Sequence, residues 1–377
     1  EFEGDTEDED LIEKEEMVVT VTAGGYIKRT ALSEYREQKR GGKGSSGMNP
    51  KAEDFVTNLV VANTHTPLLF FSTDGIVYKI KTWRLPLGGR NSRGKAIINI
   101  LPINANKSVA AIMPVDAHED SWDNLQIVFS TSTGSVRRNA LSDFTKVQSN
   151  GKIAMKLPDE TNLVDVKICS KSDDVLLTTS LGKAIRFPVS VVRVFKGRGS
   201  TGVRGIKLAK KDFVVSMAII RHVNVSSEER SAYFKMRRAI TGEESVEEDV
   251  TDNNITISKE RYTELSASEE WILTLTSSGF GKRSSAHEFR VSGRGGQGIT
   301  AANLLRRDDT IVASFPVEDD DQIMLVTSTG QAIRCPVAGI SRQSRTASGV
   351  KVFNTSDDEK VVSVAWIAEK NDEETNS

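Results

Sequence analysis

Leu69-Phe70-Phe71-Ser72-Thr73, with Gly75 two residues beyond, decides how this chain is read. A short run of β-prone residues stops there at a Ser/Thr and Gly turn, as a strand entering a tight hairpin does. The pattern recurs as Val18-Val19-Thr20-Val21-Thr22 before Gly25, Ile127-Val128-Phe129-Ser130-Thr131 before Gly134, and Leu176-Leu177-Thr178-Thr179-Ser180 before Gly182. Leu273-Thr274-Leu275-Thr276-Ser277 before Gly279 and Met324-Leu325-Val326-Thr327-Ser328 before Gly330 complete six copies. In each copy the fourth residue after the turn glycine is basic: Arg29, Lys79, Arg138, Arg186, Arg283 and Arg334. A second glycine closes a basic, glycine-rich segment 17 to 20 residues farther on, at Gly44, Gly94, Gly151, Gly202, Gly298 and Gly349.

The first anchors are spaced 50, 59, 48, 97 and 51 residues apart, so the period is near 50 and the fourth interval carries an insert at 225–270. Within it, residues 232–238 and 259–265 are expected to form short helices. Elsewhere strands of five to eight residues alternate with turn signals and no helical period, which indicates an all-β chain. About four strands per repeat is the signature of a propeller blade, and radial closure hides sheet edges that an open array would expose. The expectation is a six-bladed flat or spiral disc over 17–368, with the six repeat basics on one rim.

Charge is distributed to match. The net charge is −2, but residues 1–16 hold ten acidic residues and one lysine, the insert 225–270 is net −6 and the tail 369–377 is net −3. Residues 17–224 carry 31 basic against 16 acidic residues, while 271–368 are nearly balanced. A basic body with acidic appendages favours a polyanion partner, and the appendages, poor in aromatics, read as disordered. Two cysteines, Cys169 and Cys335, and no apolar run of membrane-spanning length argue against a disulfide scaffold or a membrane protein. A cytoplasmic setting is expected, and the start at Glu1-Phe2-Glu3 reads as that of a fragment.

Enzyme signatures fail on inspection. Residues 293–298 and 197–202 have the spacing of a dinucleotide-binding glycine loop, but they occupy the repeat register and no βαβ unit surrounds them. Residues 41–46 lack the Gly-Lys-Ser/Thr ending of a phosphate loop. The four histidines have no partners at metal-ligand spacing, so neither a catalytic nor a metal residue is expected.

The strongest local signal is Gln38-Lys39-Arg40-Gly41-Gly42-Lys43-Gly44. Three cations among glycines make a loop that can present charge and amide N–H groups to phosphate oxygens. This heptad resembles the glycine-rich basic box of the DNA gyrase A C-terminal domain family, with Lys39 in place of the usual arginine; residues 24–30, 279–283 and 293–299 are also similar to its blades. The resemblance implies a six-bladed β-pinwheel, a propeller relative whose blades exchange strands. It also implies that the chain wraps duplex DNA with defined handedness and serves the rest of gyrase A, together with gyrase B, in ATP-dependent negative supercoiling. No cofactor is expected in this domain, ATP and magnesium belonging to other parts of the holoenzyme, and the isolated domain is expected to be a monomer. Lys39, Arg40 and Lys43 are the first candidates for phosphate contact. Arg29, Lys79, Arg90, Arg93, Lys95, Arg138, Lys152, Arg186, Lys196, Arg198, Arg283, Arg294 and Arg345 follow as rim candidates. Two alternatives stay open: the related C-terminal domain of topoisomerase IV, and a propeller scaffold that binds proteins.

Overall fold

A computed structural model describes residues 9–35, 54, 56–242 and 255–367. Repeat one forms β1 (Glu16–Thr22), β2 (Tyr26–Ala31) and β3 (Val56–Asn63); repeat two forms β4 (Pro67–Ser72), β5 (Ile76–Lys81), β6 (Lys95–Ala96) and β7 (Val109–Pro114). Repeat three forms β8 (Gln126–Thr131), β9 (Ser135–Ala140), β10 (Lys152–Ile153) and β11 (Leu163–Cys169). Repeat four forms β12 (Asp173–Thr179), β13 (Lys183–Pro188), β14 (Val194–Phe195), β15 (Val203–Arg204) and β16 (Val214–Arg221). Repeat five forms β17 (Trp271–Thr276), β18 (Phe280–Ser285), β19 (Ile299–Thr300) and β20 (Ile311–Val317), and repeat six forms β21 (Gln322–Thr327), β22 (Ala332–Pro336), β23 (Val350–Lys351) and β24 (Val361–Ile367).

Each short strand joins the sheet of the repeat before its own. β6 pairs with β2, β10 with β5, β15 with β9, β19 with β13 and β23 with β18. The blades therefore exchange strands, and the second glycine of the repeat makes this exchange possible. Gly202 has φ +86, and a Cβ placed on it would stand 2.2 Å from the Val136 carbonyl oxygen, so only a bare backbone can approach so closely. The sixth sheet shows β22-β21-β24, and the corresponding segment of repeat one lies outside the described residues.

The central strand of each blade is buried on both faces, which explains its unbroken apolar run. Alternate side chains of β4 face opposite neighbours: Leu68 and Phe70 join the core shared with blade one, Leu69 and Phe71 that shared with blade three. Six such cores, one between each adjacent pair of blades, hold the ring. Phe71 and Phe129 meet edge to face at 5.7 Å across one of them. The last core closes blade six on blade one through Val18, Met324 and Val326, with β24 packed against β3. Among the described residues it buries the fewest large side chains of the six.

The insert does form two helices, longer than the sequence reading expected: α1 (Ser227–Thr241), opened by a Ser226/Glu229 capping box, and α2 (Lys259–Ala267). They dock on blade five through Tyr233, whose ring meets His287 at 5.5 Å, while His287 Nε2 donates to the Leu265 carbonyl at 2.7 Å. Burial, with Arg186, Arg237 and Arg230 nearby, pushes His287 down to about 4. The unfolded chain, with an ordinary histidine near 6.5, takes up its proton first on acidification. Stability is therefore expected to fall between about pH 6.5 and pH 4, by on the order of 1–3 kcal/mol. Thermal melts across that interval check this, and His287→Gln should flatten that part of the profile.

The disordered leader expected from composition is corrected over residues 9–15, which lie against blade two. Thr64 Oγ1 donates to the Glu13 carbonyl at 2.7 Å, Lys81 Nζ bonds Glu9 Oε1 at 2.9 Å, and His65 Nε2 lies 2.7 Å from the Ile12 carbonyl. Residues 1–8, the insert segment 243–254 and the tail 369–377 lie outside the described residues.

Candidate nucleic-acid interface

The strand exchange decides which segments reach the perimeter. β3, β7, β11, β16, β20 and β24 pack against one another around the centre, so β6, β10, β15, β19 and β23 are the outermost strands of blades one to five. The segments that lead into them, 84–96, 145–153, 190–211, 289–307 and 338–356, contain no aspartate or glutamate. Arg93, Lys95, Lys152, Lys196 and Arg294 are exposed there, as the sequence reading expected. Arg193, Arg204, Arg290, Arg342 and Lys351 are exposed as well and were missed. Their signal was available, since Arg204 and Lys351 each follow a second-anchor glycine by two residues.

Stacking on aromatic rings limits the motion of several of these cations. The Arg93 guanidinium lies 3.9 Å from the Tyr26 ring centre, Arg193 3.7 Å from Phe195, and Arg342 4.3 Å from Trp271. Others are half-buried and tethered to the main chain of their neighbours. Arg198 Nη1 donates to the Ile153 carbonyl at 3.3 Å and Arg345 Nη1 to the Thr300 carbonyl, while at Arg90 it is the main-chain N–H that is held, donating to the Glu34 carboxylate at 3.0 Å.

The six repeat basics do not share this rim, which corrects the expectation placed on them. Arg138, Arg186 and Arg283 are buried, and Arg29, Lys79 and Arg334 are half-buried. Three of the side chains reach the turn that follows the second strand of the next repeat. Arg29 Nε donates to the Leu85 carbonyl at 2.9 Å, Arg186 Nη1 to Ala286 at 2.8 Å and Arg283 Nε to Ile340 at 2.7 Å. Arg186 Nε also bonds the fully buried Asp174 carboxylate at 2.7 Å, which accepts in addition from His222 Nδ1 at 2.8 Å. Arg138 and Arg334 bond Gln126 and Gln322 at 3.1 and 2.7 Å, and Lys79 pairs with Glu119. In Arg29, Arg186 and Arg283 the recurring cation ties one repeat to the next, and in Arg138 and Arg334 it ties the two strands of its own hairpin.

A second set of buried cations lies one residue earlier in the repeat, and the sequence reading passed over it. Lys28 Nζ donates to the carbonyls of Gly89, Arg90 and Ser92 at 3.0, 2.9 and 2.8 Å. Arg137 Nη1 donates to Arg198 and Ser200 at 3.0 and 2.6 Å, and Lys282 Nζ donates to Ser344 at 2.9 Å and to Arg345. Burial drives the Arg137 guanidinium down to about 10 and the Lys282 ammonium down to about 7, against the pull of Asp143 and Glu288.

Gln38, Lys39, Arg40, Gly41, Gly42, Lys43 and Gly44 lie outside the described residues. Among the described residues no cluster of three or more His, Cys, Asp or Glu is placed to hold a metal ion, and no helix is long and apolar enough to cross a membrane.

The family model of the DNA gyrase C-terminal domain, beta-propeller, matches residues 16–63, 66–116, 126–170, 173–221, 270–318 and 321–365, one segment per repeat. The DNA gyrase A protein of Rickettsia prowazekii (strain Madrid E) is 46% identical over 377 residues, covering 99% of this chain and 41% of that protein. The DNA gyrase A protein of Granulibacter bethesdensis is 43% identical over 381 residues, 97% of this chain and 40% of that one. This chain thus spans about two fifths of the length of these relatives. Among solved structures, a DNA gyrase A C-terminal domain aligns with a TM-score of 0.70 at 24% identity, covering 94% of this chain and all of that one. The C-terminal domain of a DNA topoisomerase IV aligns at 0.63 with 22% identity, covering 94% of each. At those identities the two likenesses bear on the fold alone.

Proposed function

The chain belongs to the DNA gyrase C-terminal domain family of beta-propellers, and from that premise we propose that it binds duplex DNA along its perimeter and bends it into a wrap of one handedness. The observation that carries this reading is the run of outer segments that contain no acidic residue of their own and carry exposed cations on successive blades, with Glu34 and Asp319 reaching in from neighbouring elements to Arg90 and Arg342. A duplex is a dense line of phosphates, and each phosphate neutralised releases counterions. Bending a site of 20–30 base pairs through 40–90° costs roughly 1–6 kcal/mol, so contacts must be distributed around a curve rather than concentrated at one anchor. A ring whose outermost strands come from different repeats distributes them in that way.

In this proposal Lys39, Arg40 and Lys43 fix one end of the wrap, and the perimeter cations guide the rest. The wrapped segment is presented to the remainder of the gyrase, where strand passage with ATP would introduce negative supercoils. Cleavage and ATP hydrolysis are assigned to those other parts, and this chain contributes the bend.

Binding measured against salt tests the proposal. Affinity for a duplex should fall steeply and linearly on logarithmic axes and should depend little on sequence. Replacing Lys39, Arg40 and Lys43 together with Ala should abolish the wrap while the chain stays folded. A protein-binding scaffold would instead bind duplex weakly even at low salt, and that outcome would remove the proposal.

A further inference from the structure

Lys28, Arg137 and Lys282 occupy one position of the repeat, three residues after the turn glycines Gly25, Gly134 and Gly279. Blades two, four and six carry Tyr78, Ile185 and Ile333 there, so the cation is present in alternate blades. All three are buried and cannot touch a duplex on the perimeter. Each instead donates to main-chain carbonyls of the perimeter loop that belongs to the next repeat.

The planar trans peptide gives that arrangement a consequence. When a carbonyl turns inward, the N–H of the following residue points the opposite way. The inward carbonyls of Arg90 and Ser92 thus set the N–H groups of Asn91 and Arg93 outward, and those of Arg198 and Ser200 do the same for Gly199 and Thr201. Asn91, Arg93, Gly199 and Thr201 are all exposed. Asn91 and Arg93 flank Ser92, whose own N–H donates to the Gly89 carbonyl at 3.0 Å, and Gly199 and Thr201 flank Ser200, so each loop offers two outward N–H groups, two residues apart, as donors to a phosphate. Other bonds fix the same loops: Thr30 Oγ1 donates to the Gly88 carbonyl at 3.0 Å, Asn139 Nδ2 to Gly197 at 2.8 Å, and the Gln343 N–H to Arg283 at 2.8 Å.

We propose that Lys28, Arg137 and Lys282 are positioning residues for phosphate recognition: each draws one perimeter loop inward by its carbonyls, so that main-chain N–H groups and neighbouring exposed cations face the DNA backbone. Blades one and three then grip phosphate through two outward N–H groups each, blade five through that of Thr346, since its Arg345 N–H donates to Glu288 at 3.1 Å, and the blades between them contribute charge alone. This inference rests on the DNA-wrapping reading and refines it.

The test measures duplex affinity against salt for the whole chain and for Lys28→Met, Arg137→Met and Lys282→Met. None of these removes a surface charge. Each variant should bind about tenfold more weakly and lose about one unit of salt slope, with its circular dichroism unchanged, and Arg137→Lys should recover much of the loss. Amide hydrogen exchange on the unsubstituted chain gives a second reading that needs no variant to fold. Bound duplex should protect the N–H groups of Asn91, Arg93, Gly199 and Thr201. Folded Met variants with the parental affinity and slope would overturn the inference, and so would those amides exchanging equally fast with and without bound DNA. Absence of duplex binding by the unsubstituted chain would instead remove the underlying reading, so the two failures are distinguishable.

Discussion

Replacing Arg186 with Leu is expected to cost the fold about 3–5 kcal/mol, the range for removing one partner of a buried ion pair, and to leave duplex affinity unchanged below the melting transition. The carboxylate of Asp174 has no access to water, and Arg186 Nε is its charged partner at 2.7 Å. Leu would strand that carboxylate beside His222, would take the Arg186 donor from the Arg221 carbonyl, and would leave the Ala286 carbonyl with the Phe289 N–H alone. The melting temperature should fall by on the order of 10 °C. Pairing the change with Asp174→Leu should recover much of the loss, since replacing both partners of a buried pair with apolar groups is often close to neutral. A perimeter phosphate contact would behave in the opposite way, losing affinity and keeping stability, so calorimetry and a binding curve on one variant separate the two roles.

Replacing Arg93, Lys95, Lys196 and Arg204 with Gln should have the converse outcome. All four are exposed on outer strands or the loops that lead to them, and none sits in a core. If each neutralises one phosphate, the slope of log affinity against log salt falls by about 3–4. Affinity near 0.15 M salt should then drop by about two to three orders of magnitude, while the melting temperature changes little. Filter binding or anisotropy over a salt series reads the slope directly. A parental slope would mean that these four cations face solvent and contact nothing.

The contrast between those two sets of residues marks how far the sequence could be read. The six repeats were legible because the Ser/Thr and Gly turn leaves a local chemical mark: all six turn glycines have φ between +83 and +95, where other residues are strained. The strand exchange was reached only through the resemblance, because nothing local tells a two-residue strand such as β6 which sheet it will join. Direction was the part that failed. Periodicity established that position four after the turn is always basic, but central blade strands are covered on both faces, so a recurring cation there packs into a neighbour. In hindsight the regularity of the position was the clue. Exposed cations tolerate drift along a loop, as Lys95, Lys152, Arg204 and Lys351 do, whereas a cation that must reach one fixed partner cannot move. The helix α1 was underestimated for a simpler reason, since the Ser226-Ser227-Glu228-Glu229 start is a capping box that the sequence reading did not use. The docked residues 9–15 could not have been foreseen from composition. Their acidity looks like disorder until Thr64, His65 and Lys81 are found waiting on blade two.

Handedness bears most directly on the proposed function, and it can be trapped covalently. A nicked circular duplex is incubated with increasing amounts of the chain, sealed with ligase, stripped of protein and resolved by its linking number. The expected outcome is a shift of a single sign that grows with bound protein, positive as the family resemblance implies, and that vanishes when Lys39, Arg40 and Lys43 are replaced with Ala. A topoisomer distribution identical to that of the circle sealed without protein, at concentrations where binding is saturated, would contradict it.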